Sequence, residues 1–166
     1  MPALEPFSEM KPNALTLSPV FLPEENLSVG GRQKARAFFD FVVDGRSLRE
    51  MLRTPNIGVL SDDWDSRTAA RELVLAEPVD GGAVDPEFIG HVLIYACREC
   101  GDVWCGGVAA KITRSGGRIR WAEISNYWIN WGSAESAEHF VFDPADVGPF
   151  DFDFEQYRST LKPFLD

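Results

Sequence analysis

The sequence predicts a single α+β domain in which a mostly antiparallel sheet packs with about three helices, the last of them C-terminal. Three observations carry this expectation. The 166 residues are 45% hydrophobic and 12% aromatic, enough to build one core. Two apolar runs, "FIGHVLIYAC" and "WCGGVAAKIT", flank a cysteine loop as the arms of a hairpin would, and a third, "RIRWAEISNYWINW", follows after the turn "SGG". The end, "FDFDFEQYRSTL", carries the signals of a capped helix.

Taken in order, residues 1–12 read as an extended arm, because Pro2, Pro6 and Pro12 remove backbone donors. Residues 13–166 then form the globular domain. "NALTLSPVFL" alternates through Leu15 and Leu17 and reads as an edge strand, the one sheet position where Pro19 is tolerated. "ARAFFDFVV" (35–43), dense in aromatic and β-branched residues, reads as a buried strand. After the turn at Gly45, Ser47 and Glu50 stand at capping-box spacing before a short helix striped by Leu48, Met51 and Leu52, which Pro55 stops. "IGVL" (57–60) is a short buried strand. Ala69, Leu73 and Ala76, with Ala70 and Val74 beside them, mark a second helix over 66–76, ended by Pro78. "PVDGGAVDPE" is a loop.

The meander follows, and then "EHFVFD" as a further strand with Phe140 and Phe142 on one face. In "RIRWAEISNYWINW", simple alternation places Trp121, Tyr127 and Trp131 on one face and Trp128 on the other. In the last helix Asp153 is the cap for Gln156, Phe152 and Tyr157 stand at the two positions of a hydrophobic staple, and Phe154, Tyr157 and Leu161 face the core.

Charge excludes some functions. A net charge of −10 opposes nucleic acid and anionic membrane as partners, since both must be neutralised by Lys and Arg. The acidity concentrates at the end: from Ser133 onward eight acids (Glu135, Glu138, Asp143, Asp146, Asp151, Asp153, Glu155 and Asp166) face two bases, Arg158 and Lys162. Lys111, Arg114, Arg118 and Arg120 form the opposite feature, a basic strip without an intervening acid. Such a strip is either a solvated hairpin paired with the acidic tail or a small anion or partner contact. No apolar run reaches membrane-spanning length and no leader pattern opens the chain, so a soluble, cytoplasmic protein is expected.

All three cysteines fall in "ACRECGDVWCGG" (96–107). The Cys97-x2-Cys100-Gly turn has the shape of a zinc knuckle, with glycine permitting the tight turn behind the sulfurs. Cys105 and Asp102 complete the local set for a metal, so Cys97, Cys100, Cys105 and Asp102 are the candidate zinc ligands. His91 shares strand parity with Cys97 but lies about 20 Å away along a regular strand. His139 approaches only if the fold brings it. A thioredoxin-like redox pair needs a helix start beside the thiols, and these flanks read as strands. A Cys97–Cys105 bridge across the hairpin would leave Cys100 free. The simplest reading is three reduced thiols packed at a sheet end without a cofactor, since free cysteine behaves as a small apolar residue. A thiol nucleophile would need His139 as base and Asp143 to orient it. Asp151, Asp153 and Glu155 alternate as calcium ligands can, but helix capping accounts for Asp153 and the calcium-loop pattern is absent.

The run "YACRECGDVWCGGVAAKI" together with "GPFDFDFEQYRSTL" resembles an uncharacterised family of bacterial, actinobacterial-type proteins with a CxxCGDxxCG core and a GPFxFDxxxY close. The matching positions are Cys97, Cys100, Gly101, Asp102, Cys105, Gly106 and Tyr157, over roughly the second half of the chain, and Arg98 replaces the proline of that core. The resemblance implies no activity. With two histidines, no phosphate loop and no nucleophile elbow, the sequence points to an acidic, non-enzymatic binding protein. An immunity or neutralising protein for a basic partner such as a toxin fits that description. The alternative is a metal- or thiol-dependent enzyme centred on Cys97, Cys100 and Cys105.

Overall fold

A computed structural model describes residues 11–26, 30–61, 64–76, 91–99, 105–130 and 139–166. Its architecture is α+β with mostly antiparallel sheets and a C-terminal helix. The strands are β1 (Leu15–Leu22), β2 (Glu25–Asn26), β3 (Arg32–Gln33), β4 (Arg36–Val43), β5 (Arg46–Ser47), β6 (Ile57–Gly58), β7 (His91–Ala96), β8 (Gly107–Ser115), β9 (Arg118–Asn130), β10 (His139–Pro144) and β11 (Phe150–Asp153). The helices are α1 (Leu48–Leu52), α2 (Ser66–Leu75) and α3 (Phe154–Leu161), the last running into a 3-10 turn at Lys162–Phe164.

The sheets are joined by hydrogen bonds into a closed circuit. β7, β8 and β9 form the meander, and β10 and β11 pair with successive halves of β9 on its other edge. β1 pairs along its whole length with β4. Two short stretches complete the ring. Residues 57–61 pair first with β7, through Ile57, Gly58 and the Val59 N–H to the Ile94 carbonyl, and then with β4, through the Phe39 N–H to the Leu60 carbonyl. The predicted strand over 57–60 is therefore shorter as an element, because it changes partner halfway. At the other side Asn13 donates its N–H to the Asp151 carbonyl, and its side-chain oxygen accepts from the Asp151 N–H.

Inside the ring the aromatic residues meet edge to face. Phe41 lies 5.8 Å from Tyr95 and 5.4 Å from Trp121, and Trp121 lies 5.5 Å from Phe152. These geometries suit the ring quadrupoles and add to the gain from burying so much apolar area. α3 packs against β1 and β11, and α2 against β7 and α3. The Tyr157 hydroxyl ties them together: it accepts from Trp121 Nε1 at 3.1 Å and donates to the Leu73 carbonyl at 2.8 Å. That carbonyl stands in the last turn of α2, where the helix has no donor left for it.

The local signals in the sequence act as expected. Ser47 accepts from the Glu50 N–H and caps α1, and Arg53 ends that helix in the left-handed region at φ 53°. Asp153 accepts from the Gln156 N–H at 3.0 Å, and the staple pair Phe152 and Tyr157 sits 5.4 Å apart. α2 begins at a cap that the sequence reading did not assign: Asp65 accepts from the Thr68 N–H and hydroxyl, which holds its carboxyl below the usual carboxylate range. Pro19 lies on β1 with its nitrogen on the side away from β4, so no ladder bond is lost.

One expectation fails. Between Ala109 and Lys111 the β8–β9 register shifts, with Glu123 in the left-handed region at φ 47°. This bulge inserts an extra residue into β9 and reverses its alternation. Trp121 shares a face with its partner Ile112, whereas Tyr127 shares the opposite face with Gly107. Trp121 and Tyr127 are therefore both buried but on opposite faces, and Trp128 returns to the side of Trp121. Trp131, the expected loop over 78–87 and residues 1–10 of the expected arm over 1–12 lie outside the described residues.

Candidate functional site

The cysteines bracket the connection between β7 and β8. Ala96 pairs with Gly107, so Cys97 follows the last paired residue of β7 and Gly106 precedes the first paired residue of β8. Both glycines are sterically required. A Cβ on Gly107 would lie 2.2 Å from the Tyr95 carbonyl oxygen, and one on Gly106, at φ 108°, 2.8 Å from that of Tyr127. A side chain at either position would push the cysteine loop off its neighbouring strands.

Arginines anchor the beginning of the loop. Arg36, only 6% exposed, donates from Nε to the Arg98 carbonyl at 2.9 Å and from a terminal nitrogen to the Glu99 carbonyl at 2.7 Å. Buried guanidinium charge is costly unless its donors are filled, and these carbonyls help to fill them. Arg98 in turn donates to the Pro23 carbonyl and lies 3.9 Å from the Glu25 carboxylate. The sequence reading did not single out Arg36; the available signal was a charged residue at the start of a strand dense in aromatic and β-branched residues.

Cys97 is a half-buried free thiol, and Cys105 is disulfide-bonded. The expectation of three reduced thiols is corrected on this point, and so is a Cys97–Cys105 bridge. The bridge is excluded because Cys97 is a free thiol while Cys105 is bonded. Cys100 and Asp102, the other two candidate zinc ligands, lie outside the described residues. Among the described residues no group of three His, Cys, Asp or Glu side chains converges.

The histidines separate. His91 begins β7, at the end opposite Cys97, and its ring stacks on Phe142 with centroids 4.0 Å apart. His139 pairs with Asn130 at the start of β10. The ends of β7 and β9 and the starts of β8 and β10 all lie at one margin of the sheet. The backbone of His139 therefore shares that margin with Cys97 and Cys105.

Trp128 stands beside this margin. It is 46% exposed, its Cβ lies close to Gly106, and on β10 its partner is half-buried Val141. Exposed Asp143, paired with Asn126, lies on the same face. Among the described residues β10 has no strand on its outer edge. The basic strip, by contrast, is largely neutralised. Lys111 pairs with Glu123 at 2.8 Å, and Arg120 makes a two-pronged contact with Asp151 at 2.7 and 3.1 Å.

A second polar cluster is structural. Asp40, 3% exposed, accepts from the hydroxyls of Tyr95 and Ser47. Burial, reinforced by the Asp40 charge, pushes the Tyr95 hydroxyl well above the usual tyrosine range. Asp40 thereby links β4 to β7 and to the cap of α1.

No family model, curated protein or solved structure matches this chain. Among the described residues no helix is long and apolar enough to cross a membrane.

Proposed function

We propose that this chain is an acidic, non-enzymatic binding protein that covers a basic surface on a protein partner, the role of an immunity or neutralising protein. The observation that carries the reading is Trp128, a large aromatic left 46% exposed on the face it shares with Val141 and Asp143, beside the open edge of β10. Tryptophan is enriched among the residues that anchor protein contacts. The net charge of −10 and the exposed carboxylates of Asp143, Asp146, Asp153 and Glu155 call for a basic partner.

The test uses the intact chain as bait beside a Trp128→Ala, Asp143→Asn variant, followed by titration of the captured protein at low and high salt. The expected result is a basic protein that binds more weakly as salt rises and at least tenfold more weakly to the variant, about the scale of an interface hot spot. A turnover on any substrate class, lost when the cysteines are replaced, would overturn it.

The alternative, a metal- or thiol-dependent centre, is favoured by the free thiol of Cys97 at the margin it shares with the backbone of His139. Near-stoichiometric zinc by mass spectrometry would establish it. Alkylation of Cys97 without reductant, with Cys105 labelled only after reduction, would support the binding reading.

A further inference from the structure

A cleft of about 540 Å³ opens where α2, α3 and the end of β8 meet. Three arginines line it: Arg71 from α2, Arg114 from β8 and Arg158 from α3. Arg114 belongs to the basic strip and, unlike Lys111 and Arg120, has no carboxylate partner among the described residues. Its guanidinium lies flat on the ring of Phe154, 3.5 Å from the centroid, and Phe154 is itself 6% exposed. Stacking of this kind fixes the plane of the guanidinium while leaving its N–H edge available. Among the described residues none of the three arginines makes an ion pair or a hydrogen bond to a protein acceptor. Neighbouring cations repel one another, and here they do so within a chain whose overall charge is strongly negative.

The remaining walls define what would relieve that repulsion. Val74, Leu75 and Leu165 give the cleft an apolar side, and Leu75 is 53% exposed although it belongs to a helix with a buried stripe. Glu155 and Asp166 also line the cleft. The side-chain carboxylates of Glu155 and Asp166 offset part of the guanidinium charge, so the cleft suits a singly charged anion better than a dianion. The volume falls within the range of small-molecule sites.

We infer that this cleft binds an amphipathic monocarboxylate, an aryl or acyl acid whose carboxylate meets the Arg114 edge with Arg71 and Arg158 and whose apolar body rests on Leu75 and Leu165. Arginine is suited to this because its planar fork donates to both carboxylate oxygens at once.

Calorimetric titration of the full chain with 2-naphthoate tests it, with 2-naphthamide and 2-naphthyl phosphate as the neutral and dianionic comparators. Submillimolar binding of the carboxylate is expected, with both comparators weaker and with about a tenfold loss in Arg114→Gln, the scale of one charged hydrogen bond. Because Arg114 also covers Phe154, Arg158→Gln serves as a second variant and Arg46→Gln, remote from the cleft, as the control; urea midpoints verify that all are folded. Equal binding of the amide, unchanged affinity in both cleft variants, or no heat up to the solubility limit would each overturn the inference.

Discussion

The side-chain amide of Gln156 pairs with the backbone of Leu15 in the manner of a neighbouring strand, donating to the Leu15 carbonyl at 2.7 Å and accepting from the Leu15 N–H at 3.1 Å. β1 has β4 on one edge, and at Leu15, which is fully buried, the other edge would otherwise leave both groups unfilled. Thr160 adds a second donor to the same carbonyl at 2.9 Å. Gln156→Leu should therefore cost about 1–3 kcal/mol, the penalty of a buried polar group left without its partner. A urea unfolding curve with an unchanged slope and a lowered midpoint is the expected outcome.

Tyr157 and Tyr95 make stability sensitive to alkali. Burial pushes both hydroxyls well above the usual range, so the folded state holds two protons that the unfolded chain releases near pH 10. For groups whose folded pKa is raised, the stabilisation is complete below the unfolded pKa and declines as pH rises beyond it. Tyrosinate absorbance from these two residues should appear together with unfolding and not before it. Tyr157→Phe should flatten the decline while lowering stability at neutral pH, because Trp121 Nε1 and the Leu73 carbonyl both lose their partner.

Asp44 gives the opposite dependence. Its carboxylate accepts the Ala14 N–H at 2.8 Å and the Asn13 amide at 2.7 Å, which hold its carboxyl below the usual carboxylate range. A lowered folded pKa means stabilisation that is present above the unfolded value, near 4, and is lost as pH falls below it. Asp44→Asn keeps a residue that tolerates its φ of 51° and removes the charge. The variant should show a smaller difference between its unfolding midpoints at pH 6 and pH 3 than the wild type.

Gly107→Ala should be among the most damaging single-methyl changes in the chain. Its Cβ would meet backbone oxygen at 2.2 Å, and neither β7 nor β9 can move without breaking a ladder. Loss of more than about 2 kcal/mol is expected, compared with little change for Gly117→Ala, whose Cβ would meet nothing within 4 Å. Thermal melts of the two variants make the comparison directly.

Much of the fold was legible because its signals are local. Asp153 with Gln156, Ser47 with Glu50, and the alternation through Leu15 and Leu17 each depend on residues a few positions apart. The closing contacts were not legible: Asn13 with Asp151, and Gln156 with Leu15, join residues more than a hundred positions apart. The candidate site divided along the same line. The hairpin around the cysteines followed from its flanks, but the pairing of Ala96 with Gly107 that sets where it closes depends on register, which the two apolar runs alone do not announce. The arginine cleft was half visible, as a basic strip on the hairpin whose other two cations come from separate helices.

The extra residue at Glu123 behaves like a frameshift in the orientation of side chains. Upstream of it, odd-numbered positions of β9 face the aromatic interior; downstream, odd-numbered positions face the other way, toward Phe140 and Phe142. One continuous strand thus serves two apolar layers, and no hydrophobic pattern with a single phase describes it. Tolerance to substitution along β9 should be scored in two reading frames that meet at this residue. Removing it would turn the strand beyond it inside out, exchanging Tyr127 with the exposed face of Trp128.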